Sequence, residues 1–126
     1  MAELKKVSTD KAPAAIGPYS QAIVIKDMVF TSGQISINPA SGNVEETTIE
    51  GQAEQVMKNL GEVLKAAGRS FENAIKPTCF LADMNDFAAF NAVYAKYFTT
   101  KPARSCVAVK TLPKNVLVEV EVIAAL

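Results

Sequence analysis

Residues 102–123 read PARSCVAVKTLPKNVLVEVEVI, and they are the most informative part of the sequence. In its second half, every other position is valine: Val116, Val118, Val120 and Val122. Glu119 and Glu121 occupy positions between the valines, together with Leu117 and Ile123. Because successive side chains of a strand point to opposite faces, this pattern predicts a strand with one wholly apolar face and one mixed face.

The first half of the stretch, 104–110, also alternates, and it places Arg104 and Cys106 on one side of a strand. We expect this strand to pair with 116–123 as a hairpin, since only the short segment 111–115 joins them. With the valine face turned toward the helices, Arg104 and Cys106 become neighbours of the two glutamates on the opposite face.

Helix signals lie upstream of these strands. Thr47 and Glu50 have the spacing of a capping box. An apolar stripe with helical periodicity follows from Ile49 to Ala67, and Gly68 stands where a glycine commonly ends a helix. The pattern predicts a long amphipathic helix.

A second helix is predicted from about Asp86 to Phe98. Its aromatic residues share one face: Phe87, Phe90, Tyr94 and Tyr97. We interpret this face as core, and we place Asn91 on the other side of the helix.

Four further apolar runs are read as strands: Leu4–Ser8, Gln21–Ile25, Met28–Gln34 and Ala74–Ala82. The loop 12–19 contains prolines and a glycine, and 38–43 is a turn cluster. Because Pro77 has no N–H, it must lie at the start of its strand or on an edge.

These elements predict one α+β domain in 126 residues, with two helices packed on one face of a mixed sheet. Two helices cover only one face, and the other carries apolar residues with an arginine and two glutamates. A second copy of the chain would bury that face. We therefore expect a homo-oligomer with sites near the subunit interface.

Composition excludes several kinds of site. The chain has no histidine, which rules out Ser-His and Cys-His nucleophilic sites and histidine-based zinc sites. Thirteen basic and thirteen acidic residues give no net charge, which argues against capture of nucleic acid or an anionic membrane. The two cysteines, Cys79 and Cys106, lack metal-site spacing, and no apolar run approaches the about 18 residues of a membrane span. We expect a cytoplasmic protein with two free thiols and no metal.

Arg104 and the glutamates are the first candidates for chemistry. Arginine grips a carboxylate with two parallel hydrogen bonds, whereas a cross-strand salt bridge to Glu119 or Glu121 is the structural alternative. A partly buried glutamate can hold a water or move a proton, and a solvated strand face is its alternative.

The remaining candidates are each compatible with two interpretations. Tyr19 either donates a hydrogen bond to a ligand or packs its aromatic ring over the sheet. Ser32 and Gly33 either bring the backbone close to a ligand or form the end of a strand with a bulge. Cys106 lacks a histidine base, so a small core residue is favoured over a nucleophile. Asn91 is either a solvated side chain or one that reaches a cleft.

Three segments resemble a known family. They are 15–22 (AIGPYSQA), 31–35 (TSGQI) and 102–105 (PARS), the last followed by Leu112-Pro113-Lys114 and by Glu119-Val120-Glu121. These motifs resemble the RidA (YjgF) family of enamine/imine deaminases, and the resemblance extends from about residue 4 to the C-terminus.

The resemblance implies a single RidA-like domain, 1–126, with a chorismate-mutase-like fold. It also implies a homotrimer with a cleft at each subunit interface. Members of the deaminase branch hydrolyse reactive 2-imino acids and their enamine tautomers to 2-oxo acids and ammonia, without metal or organic cofactor. Typical substrates derive from 2-aminoacrylate and 2-aminocrotonate.

Carried over by position, the resemblance implies that Arg104 holds the substrate carboxylate and that Glu119 orients or deprotonates the attacking water. Tyr19, Ser32, Gly33, Asn91 and the backbone at Cys106 would line the cleft. Many members have an aromatic residue where this chain has Lys101, which affects the cleft rim.

Two rival functions accompany the deaminase. A metabolite-binding or regulatory protein would use the same cleft to hold a 2-oxo acid, but it would need only the arginine. Translation inhibition or RNA cleavage is disfavoured by the zero net charge and the missing histidine.

Overall fold

The computed structural model describes residues 2–125, and it is an α+β domain. Its strands are β1 Leu4–Val7, β2 Ala22–Ile25, β3 Met28–Thr31, β4 Ile37–Asn38, β5 Asn43–Val44, β6 Ala74–Leu81, β7 Ser105–Ala108 and β8 Val118–Ala125. Its helices are α1 Ile49–Ala66 and α2 Phe87–Tyr97, with single 3₁₀ turns at Phe71–Asn73, Met84–Asp86 and Pro113–Asn115. A six-stranded mixed sheet has the order β1-β2-β3-β8-β6-β7, and β4 pairs with β5 around the predicted turn.

The ends of α1 follow from local side-chain and backbone chemistry. The hydroxyl of Thr48 accepts the N–H of Gly51 at 3.0 Å, so the predicted cap at Thr47 is wrong by one residue. Two adjacent threonines offer the same cap, and the sequence pattern does not separate them. At the other end, Gly68 has φ +75°, and the next N–H, that of Arg69, reaches the carbonyl of Leu64 at 2.8 Å. This Schellman geometry confirms Gly68 as the helix terminator.

The core lies between the two helices and one face of the sheet. Val116, at the predicted start of this strand, is buried but precedes β8, whereas the other three valines predicted to face the helices, Val118, Val120 and Val122, are buried in this core. The stripe of α1 is buried against them, including Met57, Leu60 and Leu64. The predicted polarity of β8 is therefore confirmed.

The predicted hairpin between the last two strands is wrong. β6 lies between them, parallel to β7 and antiparallel to β8. Thr111–Asn115 therefore carries the chain across a strand instead of making a tight turn. Pro77 fits this arrangement, because β7 pairs with β6 only from Thr78 onward.

The faces of β7 are also the reverse of the prediction. Cys106 pairs with the fully buried Cys79 and packs against the core, whereas Val107 is 46% exposed. As an edge strand of four residues, β7 has too short an apolar pattern to determine its own facing.

Within residues 2–125, no helix covers the second face of the six-stranded sheet, which we call the open face. Glu119 and Glu121 lie there with Phe80, Thr78 and the 42% exposed Phe30. Residues 2–125 contain no helix that combines the length and the hydrophobicity of a membrane span.

Candidate functional site

Three side chains of α2 contact Arg104. Its Nη1 donates to Oδ1 of Asn91 at 2.7 Å, and its Cζ lies 4.6 Å from the ring centroid of Tyr94 and 5.4 Å from that of Phe87. No carboxylate among residues 2–125 forms a salt bridge with it, so the cross-strand ion pair is not the role of this arginine. The guanidinium borders a cavity of about 460 Å³ that Lys101 and Pro102 also line.

The prediction that Asn91 lies away from the aromatic face of α2 is wrong. Phe87, Asn91 and Tyr94 are spaced by four and three residues and therefore share one side of the helix. This same spacing was available in the sequence. It failed to identify the site because the aromatic residues were assigned to the core alone.

Glu119 lies on the open face of the sheet, directly opposite Phe80 in the β6–β8 pair. Burial, and to a lesser degree the charge of Glu121, raises the pKa of the Glu119 carboxyl. Its carboxyl approaches Gly33 so closely that a Cβ there would lie 2.8 Å from Glu119 Cδ. Glycine is therefore required at position 33 for the carboxyl to remain where it is.

A second cavity, of about 450 Å³, is bordered by Glu119, Tyr19, Ser32, Gly33 and Lys114, together with apolar side chains. Beside Glu119, three of these residues, Tyr19, Ser32 and Gly33, are candidates predicted from the sequence. The structure thus brings together Tyr19, Ser32, Gly33 and Glu119.

The loop that carries Tyr19 is fixed by hydrogen bonds from neighbouring side chains. Ser32 Oγ donates to the carbonyl of Ser20 at 2.6 Å, and the Ser32 N–H donates to the carbonyl of Gln21 at 2.9 Å. The Gln21 amide, which is 3% exposed, donates to the carbonyls of Thr9 and Pro13. Gln21 was not among the predicted residues, because a glutamine at the start of a strand has no distinguishing pattern.

Asn59 of α1 supports the part of this cavity's lining that follows β3 in the chain. Its Nδ2 donates to the carbonyls of Ile35 and Ile37 at 3.0 and 2.8 Å, and both isoleucines line the cavity. Asn59 is 1% exposed. A buried asparagine on the core side of an amphipathic helix is the signal that could have found it.

Cys106 does not have the environment of a nucleophile. Burial raises the pKa of its thiol, and burial likewise raises that of Cys79 to about 12. Both cysteines are free thiols. Among residues 2–125, no cluster of three or more Cys, Asp or Glu side chains could hold a metal.

Within one chain, Arg104 and Glu119 are not neighbours. Arg104 lies against α2, on the helix side of the sheet, whereas Glu119 lies on the open face, and the two line different cavities. The expectation that one hairpin brings them together is wrong, because it depended on the direct pairing of β7 with β8.

Comparison with known proteins identifies the family. The family model described as Endoribonuclease L-PSP matches residues 9–126. The chain is 52% identical over 126 residues to a RutC family protein of Synechocystis, covering 98% of this chain and 97% of that one. It is 49% identical over 121 residues to the 2-iminobutanoate/2-iminopropanoate deaminase of Mus musculus, covering 95% and 90%.

A crystal structure shows the same fold. The Rid family protein YyfA of Yersinia pestis, whose function is unknown, superposes with a TM-score of 0.95 at 45% identity, covering 98% of this chain and 100% of that one. Together with the sequence matches over nearly the whole length, this establishes that the chain belongs to the RidA (YjgF) family.

Proposed function

We propose that this protein is a hydrolytic deaminase that converts 2-imino acids and their enamine tautomers to 2-oxo acids and ammonia. The observation that carries the proposal is an arginine held by α2 with no carboxylate partner among residues 2–125, in a chain that also holds a carboxyl of raised pKa against Gly33. The curated name of the mouse relative supports the same reaction.

Arg104 binds the substrate carboxylate in this proposal. Asn91 occupies one Nη1 hydrogen, which leaves the donors of the other guanidinium edge for a bidentate contact. The positive charge of the guanidinium favours an anionic substrate.

Glu119 acts on water and on the leaving nitrogen. It takes a proton from water as the oxygen attacks the carbon of the protonated imine, and it returns that proton to the nitrogen of the carbinolamine. Glu119 then takes the hydroxyl proton of the carbinolamine as the C=O bond forms, and ammonia leaves as the C–N bond breaks. That last proton passes to solvent. The raised pKa of Glu119 suits a group that must both accept and donate a proton. No histidine is needed.

The remaining candidates line the cleft. Tyr19, Ser32 and Gly33 stand on the side of Glu119, and Asn91 and the backbone at Cys106 stand on the side of Arg104. Since these two groups lie on opposite sides of one sheet, we propose that a working site takes Arg104 from one copy and Glu119 from its neighbour in a homotrimer. The open sheet face would be the surface between copies.

The experiment couples purified protein to threonine dehydratase and follows the release of 2-oxobutanoate. We expect acceleration by the wild type and none by Arg104→Ala or Glu119→Gln alone. Arg69→Ala is the matched control, because Arg69 is the only other arginine and lies beyond the end of α1.

Mixing the two inactive variants tests the shared site. After the variants are unfolded together and refolded, about a quarter of the sites would combine an intact arginine with an intact glutamate from different copies. We expect activity to return to about that fraction. If both residues served from the same copy, no mixture would regain activity.

Failure of the wild type to accelerate release would contradict the deaminase. Calorimetric titration with 2-oxobutanoate would then test the metabolite-binding alternative at the same arginine. Salt-dependent cleavage of a single-stranded RNA would instead favour the ribonuclease that the name of the family model describes.

A further inference from the structure

Tyr94 forms the surface on which the Arg104 guanidinium rests. The arginine Cζ lies 4.6 Å from the centroid of the tyrosine ring, within the range of a cation–π contact. Tyr94 is 8% exposed and is itself stacked on Phe98 at 4.6 Å between centroids. The ring therefore has a fixed position beneath the guanidinium.

The hydroxyl of Tyr94 plays no part in this contact. Its Oη is buried and has no hydrogen-bond partner within residues 2–125. Burial raises the pKa of the phenol to about 12, so it is neutral at physiological pH. A buried hydroxyl without a hydrogen bond lowers the stability of the folded state. The ring, and not the hydroxyl, is therefore the useful part of Tyr94 in its contact with Arg104.

Asn91 and Tyr94 contact different parts of the guanidinium. The Asn91 amide oxygen accepts a hydrogen bond from one terminal nitrogen of the guanidinium, whereas the Tyr94 ring lies against its central carbon, Cζ. Phe87, at 5.4 Å, adds a second aromatic contact. Arg104 itself lines the cavity that Lys101 and Pro102 border.

We propose that Tyr94 is a positioning residue that orients Arg104 for the substrate carboxylate, through its ring and not its hydroxyl. This inference rests on the proposed role of Arg104 in binding. Loss of the ring should raise KM and the Kd for a 2-oxo acid by about 3- to 30-fold, the range of a cation–π contact, while kcat changes less.

The test compares Tyr94→Leu with Tyr94→Phe, and uses Tyr97→Leu as the matched control. Tyr97 lies on the same helix, but its hydroxyl donates to Glu54 and its ring contacts Phe71, not Arg104. KM and kcat are measured with 2-iminobutanoate formed in the assay, and the Kd of 2-oxobutanoate is measured by calorimetry. Thermal melting reports the stability of each variant separately.

We expect Tyr94→Leu to raise KM and Kd, Tyr94→Phe to restore both to within about twofold, and Tyr97→Leu to lower stability without moving either constant. Unchanged KM and Kd in Tyr94→Leu would overturn the proposal. Equal loss in Tyr94→Phe would also overturn it, by assigning the role to the hydroxyl. Should Tyr94→Leu not fold, Phe87→Leu, which removes the more distant ring, must produce a smaller rise of the same kind, and an unchanged KM there counts against the proposal.

The two readouts separate this inference from the proposed reaction. If the wild type shows no deamination but binds 2-oxobutanoate through Arg104, the Kd comparison alone decides the role of Tyr94. If the wild type deaminates and Tyr94→Leu keeps its KM, the reaction stands and the positioning role fails.

Discussion

The backbone of Gly33 and the carboxyl of Glu119 are in such close contact that no side chain fits between them. A Cβ on residue 33 would lie 2.8 Å from Glu119 Cδ, well inside van der Waals contact. Gly33 follows β3, and Gln34 pairs with Val120 through two backbone hydrogen bonds of 2.9 and 3.2 Å. These two hydrogen bonds fix the loop after β3 to β8, and the carboxyl of Glu119 lies against this loop.

Gly33→Ala should therefore displace the carboxyl of Glu119 without unfolding the domain. We expect kcat to fall by about one to two orders of magnitude, the loss that a small misplacement of a reacting group produces, with little change in melting temperature. The control is the same substitution in a Glu119→Asp background, where the shorter side chain keeps a carboxyl but withdraws it from residue 33, so that little further loss should occur. Additive losses would mean that Gly33 acts independently of Glu119.

The pH dependence of the reaction should follow the environment of Glu119. A base must be ionised to accept a proton, so the rate falls as pH drops through the pKa of Glu119, which lies above the ordinary value of 4.5. The charge of Glu121 contributes to that rise. Glu121→Gln removes the charge, so the acidic limb of the kcat/KM profile should move to lower pH.

Glu62→Gln on α1 is the control for this pH experiment, and its acidic limb should coincide with that of the wild type. A limb that moves to higher pH in Glu121→Gln, or that does not move, would contradict the proposed coupling between the two glutamates.

The parts of the fold that the sequence predicts are those that local chemistry decides. The valine row of β8, the apolar stripe of α1 and the terminating Gly68 were each predictable, because burial or backbone conformation at those positions depends on nearby residues. The valine row and the apolar stripe are each repeated over several alternations or turns, so a single exception does not change the prediction.

The place of Arg104 was not predictable in the same way. Whether β7 pairs with β8 or with β6 depends on how the whole sheet is ordered, and 111–115 is compatible with either arrangement. The short edge strand β7 then takes its facing from β6, where Cys79 is buried opposite Cys106. One error in strand order therefore moved the arginine to the wrong face of the sheet.

Asn59 offers a test of how the cavity wall is held. Asn59→Ala removes the donor to the carbonyls of Ile35 and Ile37, and the free energy of unfolding should fall by about 1–3 kcal/mol. Gln55→Ala is the matched control, since Gln55 only donates to the Asn59 side chain at 2.9 Å. Urea unfolding measures both, and an equal loss in the two variants would show that the carbonyl contacts are not the cause.

The open sheet face should decide assembly. Phe30 is 42% exposed near the middle of this face, so Phe30→Lys should leave the domain folded but place a charge in the proposed surface between copies. Light scattering coupled to gel filtration should then show monomers, and deamination should be lost although Arg104 and Glu119 are unchanged.

Met84→Lys is the control for assembly, because Met84 has the same exposure, 43%, but lies in the turn before α2 and away from the sheet face. It should assemble and react like the wild type. A fully active monomer of Phe30→Lys would show that one chain completes the site alone. This outcome would contradict the proposal that Arg104 and Glu119 of one site come from different copies.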